Sequence, residues 1–461
     1  MTKTADSRKL LRQILALALA FMAIGLPGCK SDKNADAEDL LSVVPSSATM
    51  VGVIDVRHIA EKAGCKIDGM EITPGEEMKK AIASISDPKT RNAVSMVFTG
   101  ESGIEPQSIV FFTDSYNTYL MAMVADTGKF RQYVEKQSGE KFQKQGDVET
   151  CGSVALCGSR AWVNVSSGNT INAQAIANYA KLSRSNSFLG GEHADKLAHT
   201  PDDVSVWSDI NTLASMRGMS VGDKATMRMV LATLFDDASF STFSVNFEDG
   251  KIVTLGTVLN TKGKTAKYLL PSGKVDVKTM ESLGDKADVL FAMDLSKGLV
   301  KKIEGLAASF GGGLPDAYMQ VVRPVDGTVA FSMTAAADGR YGYNAVVTTD
   351  GKPTPELLNL AGSLGQVKNE GKYVRMSGGE AAQGGVMTVA DMAKKLKGSA
   401  LGVVLSGKMV SESPVKVNDA DIKSMTLMLR PSDGGMEMVC DIEGNNPKEN
   451  ALITLLKMMA S

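Results

Sequence analysis

Five cysteines, three histidines and a few short Ser, Lys and Gly clusters are the residues in this chain whose types could do chemistry. Cys65, Cys151, Cys157 and Cys440 could form two disulfides in an exported chain. Cys151 and Cys157 are the tempting pair. On a single strand they would share a face about 20 Å apart, too far to bond, and a Gly-Ser hairpin turn between them would set Cys151 opposite Val154. Zinc chemistry is disfavoured, because His58, His193 and His199 are scattered and no C-x-x-C occurs. His193 and His199 flank Asp195 and could serve as ligands or a base, but GEHADKLAHTPDD reads as a polar surface loop. No G-x-S-x-G elbow occurs. The two S-x-x-K matches, Ser86 to Lys89 and Ser413 to Lys416, each contain a proline, which opposes the helix that would align Ser with Lys. Gly263-Lys264-Thr265 imitates the end of a phosphate loop, but Val258 stands where that loop needs its first glycine. Gly311-Gly312-Gly313 reads as a hinge rather than an anion cradle. The expectation is no catalytic, cofactor-binding or metal site.

One cysteine stands apart. Residues 3–12 are basic, residues 13–26 (QILALALAFMAIGL) are apolar, and Leu26-Pro27-Gly28-Cys29 follows. The apolar run has signal-peptide length and is short for a spanning helix, which needs roughly 20 residues. The tetrapeptide resembles a lipobox, in which small residues let the extended backbone enter the peptidase and the cysteine thiol takes up diacylglycerol. Pro27 departs from the usual small residue. Cys29 is therefore the expected lipidation site and the expected new N-terminus. Two or more acyl chains on it would give stable anchoring where one would not. Residues 1–28 read as signal peptide and 29–40 as a flexible tether. Lys30, in place of an aspartate after the cysteine, favours the outer membrane, on its periplasmic or its cell-surface face. No other segment approaches 18 continuous apolar residues.

The bulk properties narrow the function classes. The chain has 461 residues, 43% apolar and 22% charged, so it can bury a large core without staples. Its formal charge is −2; the first 28 residues carry +3 (Lys3, Arg8, Lys9 and Arg12 against Asp6), which leaves −5 for the rest. A mildly acidic body lacks the clustered cations that nucleic acid requires. The 26 methionines read as core filling.

The elements that would position any site repeat along the chain. Four segments share a turn, a short apolar strand and a polar residue opening a helix: 44–64, 200–218, 283–303 and 396–412. Asp55, Asp209 and Asp294 sit where strand becomes helix, with Ser406 in the fourth copy. Helix N-capping explains each locally, so they are not read as a catalytic carboxylate set. Four alternating hairpins follow, at 106–126, 239–260, 326–349 and 422–443. Glu248-Asp249-Gly250, Ala337-Asp338-Gly339 and Ser432-Asp433-Gly434-Gly435 supply turn residues. Helices are expected near 129, 170–183, 223–235, 354 and 447–459. The order of elements predicts an α+β fold: an internally duplicated unit of antiparallel hairpins covered by helices, in two lobes at 41–272 and 273–461. The boundary falls near Pro271-Ser272-Gly273, and GGGLP at 311–315 reads as a loop.

The lipobox, the opening VPSSATMVGVIDVRHIAEKAG and this layout resemble an uncharacterised family of Bacteroides-type lipoproteins carrying a large domain of unknown function. The resemblance implies an exported, anchored α+β protein and supplies no catalytic residues. The expected function is a non-enzymatic binding or scaffolding role in the cell envelope, with a protein, peptide or small envelope ligand as partner and clefts between lobes as the place for it. Two alternatives are an envelope hydrolase of peptides or glycans using dispersed carboxylates, and a glycan-capture protein. The latter expects Trp162, Trp207 and tyrosines clustered on the surface.

Overall fold

The computed structural model describes residues 35–68, 71–84, 102–114, 117–166, 170–191, 193–210, 229, 231–309, 315–335, 340–379, 385–411 and 422–460. The signal segment, Cys29, both S-x-x-K matches and the glycines at 311–313 lie outside these residues.

Eighteen strands form one sheet. In chain order they are β1 (Met50–Asp55), β2 (Ile104–Asp114), β3 (Asn117–Val124), β4 (Gln143–Gln145), β5 (Val148–Cys151), β6 (Val154–Cys157), β7 (Arg160–Asn164), β8 (Val204–Asp209), β9 (Phe240–Glu248) and β10 (Lys251–Leu259). They continue as β11 (Val289–Leu295), β12 (Val325–Ala335), β13 (Tyr341–Thr349), β14 (Gln366–Asn369), β15 (Tyr373–Gly379), β16 (Leu401–Ser406), β17 (Ile422–Ser432) and β18 (Gly435–Gly444). Every pairing is antiparallel. The spatial order is β4-β5-β6-β7-β3-β2-β1-β8-β9-β10-β18-β17-β16-β11-β12-β13-β15-β14. All four expected hairpins are present, as β2–β3, β9–β10, β12–β13 and β17–β18.

The helices used below are α1 (Ala35–Leu41), α2 (Val56–Lys62), α3 (Glu76–Ser84), α4 (Thr127–Ser138), α5 (Ala173–Tyr179), α6 (Ala194–Ala198), α7 (Val277–Glu281), α8 (Lys297–Ser309), α9 (Asp316–Val322), α10 (Pro355–Leu364), α11 (Val389–Lys395), α12 (Gly407–Ser411) and α13 (Ala451–Ala460). Alternation decides which face each strand residue meets. In β1, Val51 and Val53 enter a core with Phe112, Trp162 and Trp207 beneath α1, α5 and α6, while Ile54 enters the opposite core beneath α2, α3 and α4. The sheet is therefore covered on both faces here, and β1 reads as a near-continuous apolar run for that reason. In the second half, α7 and α11 cover Leu290, Ala292 and Val404, and α9 with α10 encloses Val325, Val347 and Val374.

Three expectations change. Within the segment expected as tether, Ala35–Leu41 is helical, and Leu40 and Leu41 are fully buried because that turn presents two large apolar groups to the sheet. The segments 41–272 and 273–461, expected as two lobes, contribute strands to one continuous sheet. β10 pairs with β18 over Lys251–Thr257, joining them into one sheet and satisfying backbone groups that two open edges would leave unpaired. Finally, the closing helix α13 lies in the first half's core, where Leu452, Ile453 and Leu456 pack with α3 and Phe247.

The capping aspartates differ among themselves. Asp55 accepts from His58 N at 2.8 Å and caps α2 as expected. Asp294 reaches only Ser296 N (3.3 Å); the first N–H of α8, on Lys297, is taken by Asp326 from the neighbouring strand. Ser406 Oγ accepts from Met409 N in α12. The segment beyond Ile210 that Asp209 would cap lies outside the described residues.

Candidate functional site

The junction between the halves is built by strand register. Trp207 of β8 faces Thr242 of β9, Thr242 faces Thr257 of β10, and Thr257 faces Glu437 of β18. Period-two alternation sends this whole row to one face. The next row on that face is Ser205, Ser244 and Leu255. Together they floor a cavity of about 250 Å³, walled by His193, Lys196 and Leu197 at α6 and by Thr200 and Asp202 in the approach to β8.

Aromatic packing holds the wall in place. The His193 ring stacks on Trp207 (centroids 5.4 Å apart) and meets Phe240 edge-on at 4.5 Å, and Phe240 and Trp207 are 5.1 Å apart. Lys196 Nζ donates to Gly263 O at 3.1 Å, tying α6 to the turn after β10. Gly263 has φ +65°, and a Cβ there would lie 2.9 Å from the His193 ring, so only glycine allows this approach. The Gly263-Lys264-Thr265 sequence is thereby explained as a turn in which Asn260 Oδ1 accepts from Lys262 N and Lys264 N. His193 is not in a plain surface loop, as expected from sequence; it is part of this aromatic wall. His199 fits that expectation better, between Glu38 (3.4 Å) and Asp195 (3.2 Å).

Every charged group at the cavity already has a partner. Asp202 accepts from Asn246 Nδ2 (2.7 Å) and Thr200 Oγ1 (3.1 Å), and Glu437 accepts from Arg430 Nε (2.6 Å). Trp207 is 7% exposed, and its indole N–H is buried with no acceptor among the described residues.

Two further polar constellations lie outside the cavity. Asp203, fully buried, accepts from Lys62 Nζ (3.0 Å to both oxygens) and Phe247 N (2.6 Å), with His58 Nδ1 at 3.1 Å. Sequence reading passed over Asp203; the one signal available was a carboxylate immediately before an apolar strand. The second is on β18. Asp441 is half-buried, and burial pushes its carboxyl above the usual carboxylate range. Glu443 is also raised by burial, but the hydrogen bond and charge of Lys395 outweigh this and hold it low overall. The two stand on one face, about 7 Å apart along the strand. Among the described residues no group of three or more His, Cys, Asp or Glu is placed to hold a metal ion.

The four cysteines among the described residues, Cys65, Cys151, Cys157 and Cys440, form no disulfide. Cys151 faces Val154, in the register expected from a Gly-Ser turn, and Cys157 faces Val148. Burial raises the Cys65, Cys157 and Cys440 thiols. The two tryptophans do not form a surface platform. Trp162 is fully buried among Phe112, Tyr119 and Tyr179, and Trp207 packs with His193 and Phe240.

No family model matches the chain, and no curated protein matches it. Two solved structures resemble it faintly. Crystal form I of TP0453 aligns at 8% identity over 49% of this chain and 80% of that one, with a TM-score of 0.27. Crystal form III aligns at 9% identity over 77% and 96%, with a TM-score of 0.23. Likeness at that level carries no argument about fold or role. Among the described residues no helix is long and apolar enough to cross a membrane.

Proposed function

We propose that this chain is an exported, lipid-anchored binding protein of the cell envelope, akin to the uncharacterised Bacteroides-type lipoproteins, and built from two copies of one α+β unit. The cavity at the β10–β18 junction carries the binding role: it is concave, apolar on its aromatic wall and polar across its floor, as small-ligand sites are. Strand order supports the duplication. Outward from the junction one run is β10, β9, β8, β1, β2, β3, β7, and the other is β18, β17, β16, β11, β12, β13, β15. In each run the first strand in sequence lies between the second and the fifth of that series. The anchor is Cys29, and the outer membrane is the expected destination.

Cross-linking followed by mass spectrometry in intact cells of the source organism tests the role. A specific envelope partner or ligand, linked at residues around the junction, is the expected outcome. Robust turnover of a substrate by the purified protein would count against it.

The Asp441–Glu443 pair favours a second reading, a hydrolase. Two carboxylates driven in opposite directions by their surroundings are the arrangement acid–base catalysis uses. The close Lys395 contact to Glu443 argues for a structural ion pair instead, and Asp441→Asn abolishing peptide or glycan hydrolysis is what that reading requires.

A further inference from the structure

The middle of the sheet is apolar on both faces. Read across β18, β17, β16, β11 and β12, the register places Cys440, Leu427, Val403, Phe291 and Phe331 in one row. The rows on either side run from Met438 to Val329 and from Ile442 to Met333, and all three rows are apolar on every strand. Glu437 and Val439 alternate with Met438 and Cys440 and point to the junction cavity and to the core beneath α7 and α11, so the three rows lie on the opposite face. An antiparallel sheet that turns one face to water alternates apolar with polar residues; these strands do not. The central row is half-buried, with Leu427 40% exposed, and its members join none of the packed cores among the described residues.

We propose that this strip binds the acyl chain of a single lipid molecule, a second site beyond the role given to the junction cavity. The floor carries no charged side chain, and the Cys440 thiol is its one weak hydrogen-bonding group. A protein partner would need about one hydrogen bond per 100–200 Å² of interface; a hydrocarbon chain needs none. Met293, Met333, Met425 and Met438 stand on the three rows, and their unbranched, polarizable side chains adapt to a flexible guest. Both sides of the strip are walled. On one side α13 packs on β9 and β10 against Phe247. On the other, Tyr343, whose ring lies 5.8 Å from that of Phe331, donates its hydroxyl to Leu364 O of α10. From β18 to β12 is four strand spacings, about 19 Å. One acyl chain reaches about 15 Å, half the hydrocarbon thickness of a bilayer, and so fits across the floor.

Isothermal titration calorimetry tests this on the full mature chain carrying Cys29→Ser, which removes the anchor's own acyl chains, with laurate and decanoate kept below micelle formation. Saturable laurate binding is expected, with a dissociation constant of about 1–100 μM. Decanoate, two methylenes shorter, should bind roughly tenfold more weakly. That comparison reads the unaltered strip and does not depend on a floor variant folding. Val403→Thr, which keeps the outline and adds a hydroxyl, and Leu427→Asn, at the exposed middle, should each weaken laurate about fivefold or more. No laurate binding up to about 1 mM, equal affinity for the two chain lengths, or binding indifferent to both variants would overturn the assignment. So would adsorption to phosphatidylcholine vesicles without binding of monomeric laurate, or a dimer in light scattering that Leu427→Asn dissociates. None of these results touches the junction cavity, whose cross-linking test stands separately.

Discussion

Asp203 is out of water and surrounded by donors, so its removal should be felt more than that of any surface acid. Asp203→Ala would leave Lys62 and the Phe247 N–H without their acceptor, and urea unfolding should show a loss of about 2–4 kcal/mol. Asp441 should behave oppositely. Burial raises its carboxyl, so the folded state prefers the neutral form and is penalised as pH rises past the ordinary carboxylate range. Asp441→Asn is expected to raise the melting midpoint by about 1–2 °C at pH 7. The gain should vanish on acidification below the ordinary carboxylate pKa, where Asp441 is protonated in both states. A gain that persisted at low pH would assign the effect to packing. None of this was visible in the sequence. Asp202 and Asp203 are neighbours of identical type, and only the register of β8 against β9 separates the buried one from the one lining the cavity.

At the scale of elements, local rules were legible and long-range ones were not. The hairpins could be read because alternation and turn residues act within about 20 residues: Gly250 and Gly434 do adopt positive φ at the β9–β10 and β17–β18 turns. Asp55 could be read as a cap for the same reason. Asp294 could not, because Asp326, on the neighbouring strand, takes the N–H it would have capped. A Cβ on Gly273 would fall 2.1 Å from the Asp294 carboxylate, so Gly273→Ala should cost about 1–3 kcal/mol by differential scanning calorimetry or urea unfolding. The closing helix was expected from its pattern, but not its destination: an apolar stripe says that α13 must be buried and is silent about where. Leu456, 1% exposed in the first half's core, gives the test. Leu456→Ala should cost about 2–4 kcal/mol, with the loss centred on β1–β3 amides in hydrogen exchange. A loss confined to β11–β13 would place the helix elsewhere.

For the whole molecule, the halves share too much to fold apart. The first half draws α13 and the β18 edge from the second, so residues 41–272 expressed alone should expose an unpaired β10 and an open core. Aggregation or loss of cooperative unfolding is expected, whereas a soluble, sharply melting monomer would show the halves to be independent domains. The same join explains why the candidate site was missed in the sequence: Trp207, Thr242, Thr257 and Glu437 span 230 positions and meet only because β10 and β18 pair. The proposed anchor rests on the sequence alone, on the basic, apolar and small-residue order ending at Cys29. Intact-mass and N-terminal peptide analysis of the protein purified from native membranes tests it most directly. The account predicts a chain beginning at Cys29 and bearing diacylglycerol on its sulfur; an unmodified chain beginning at Met1 would contradict it.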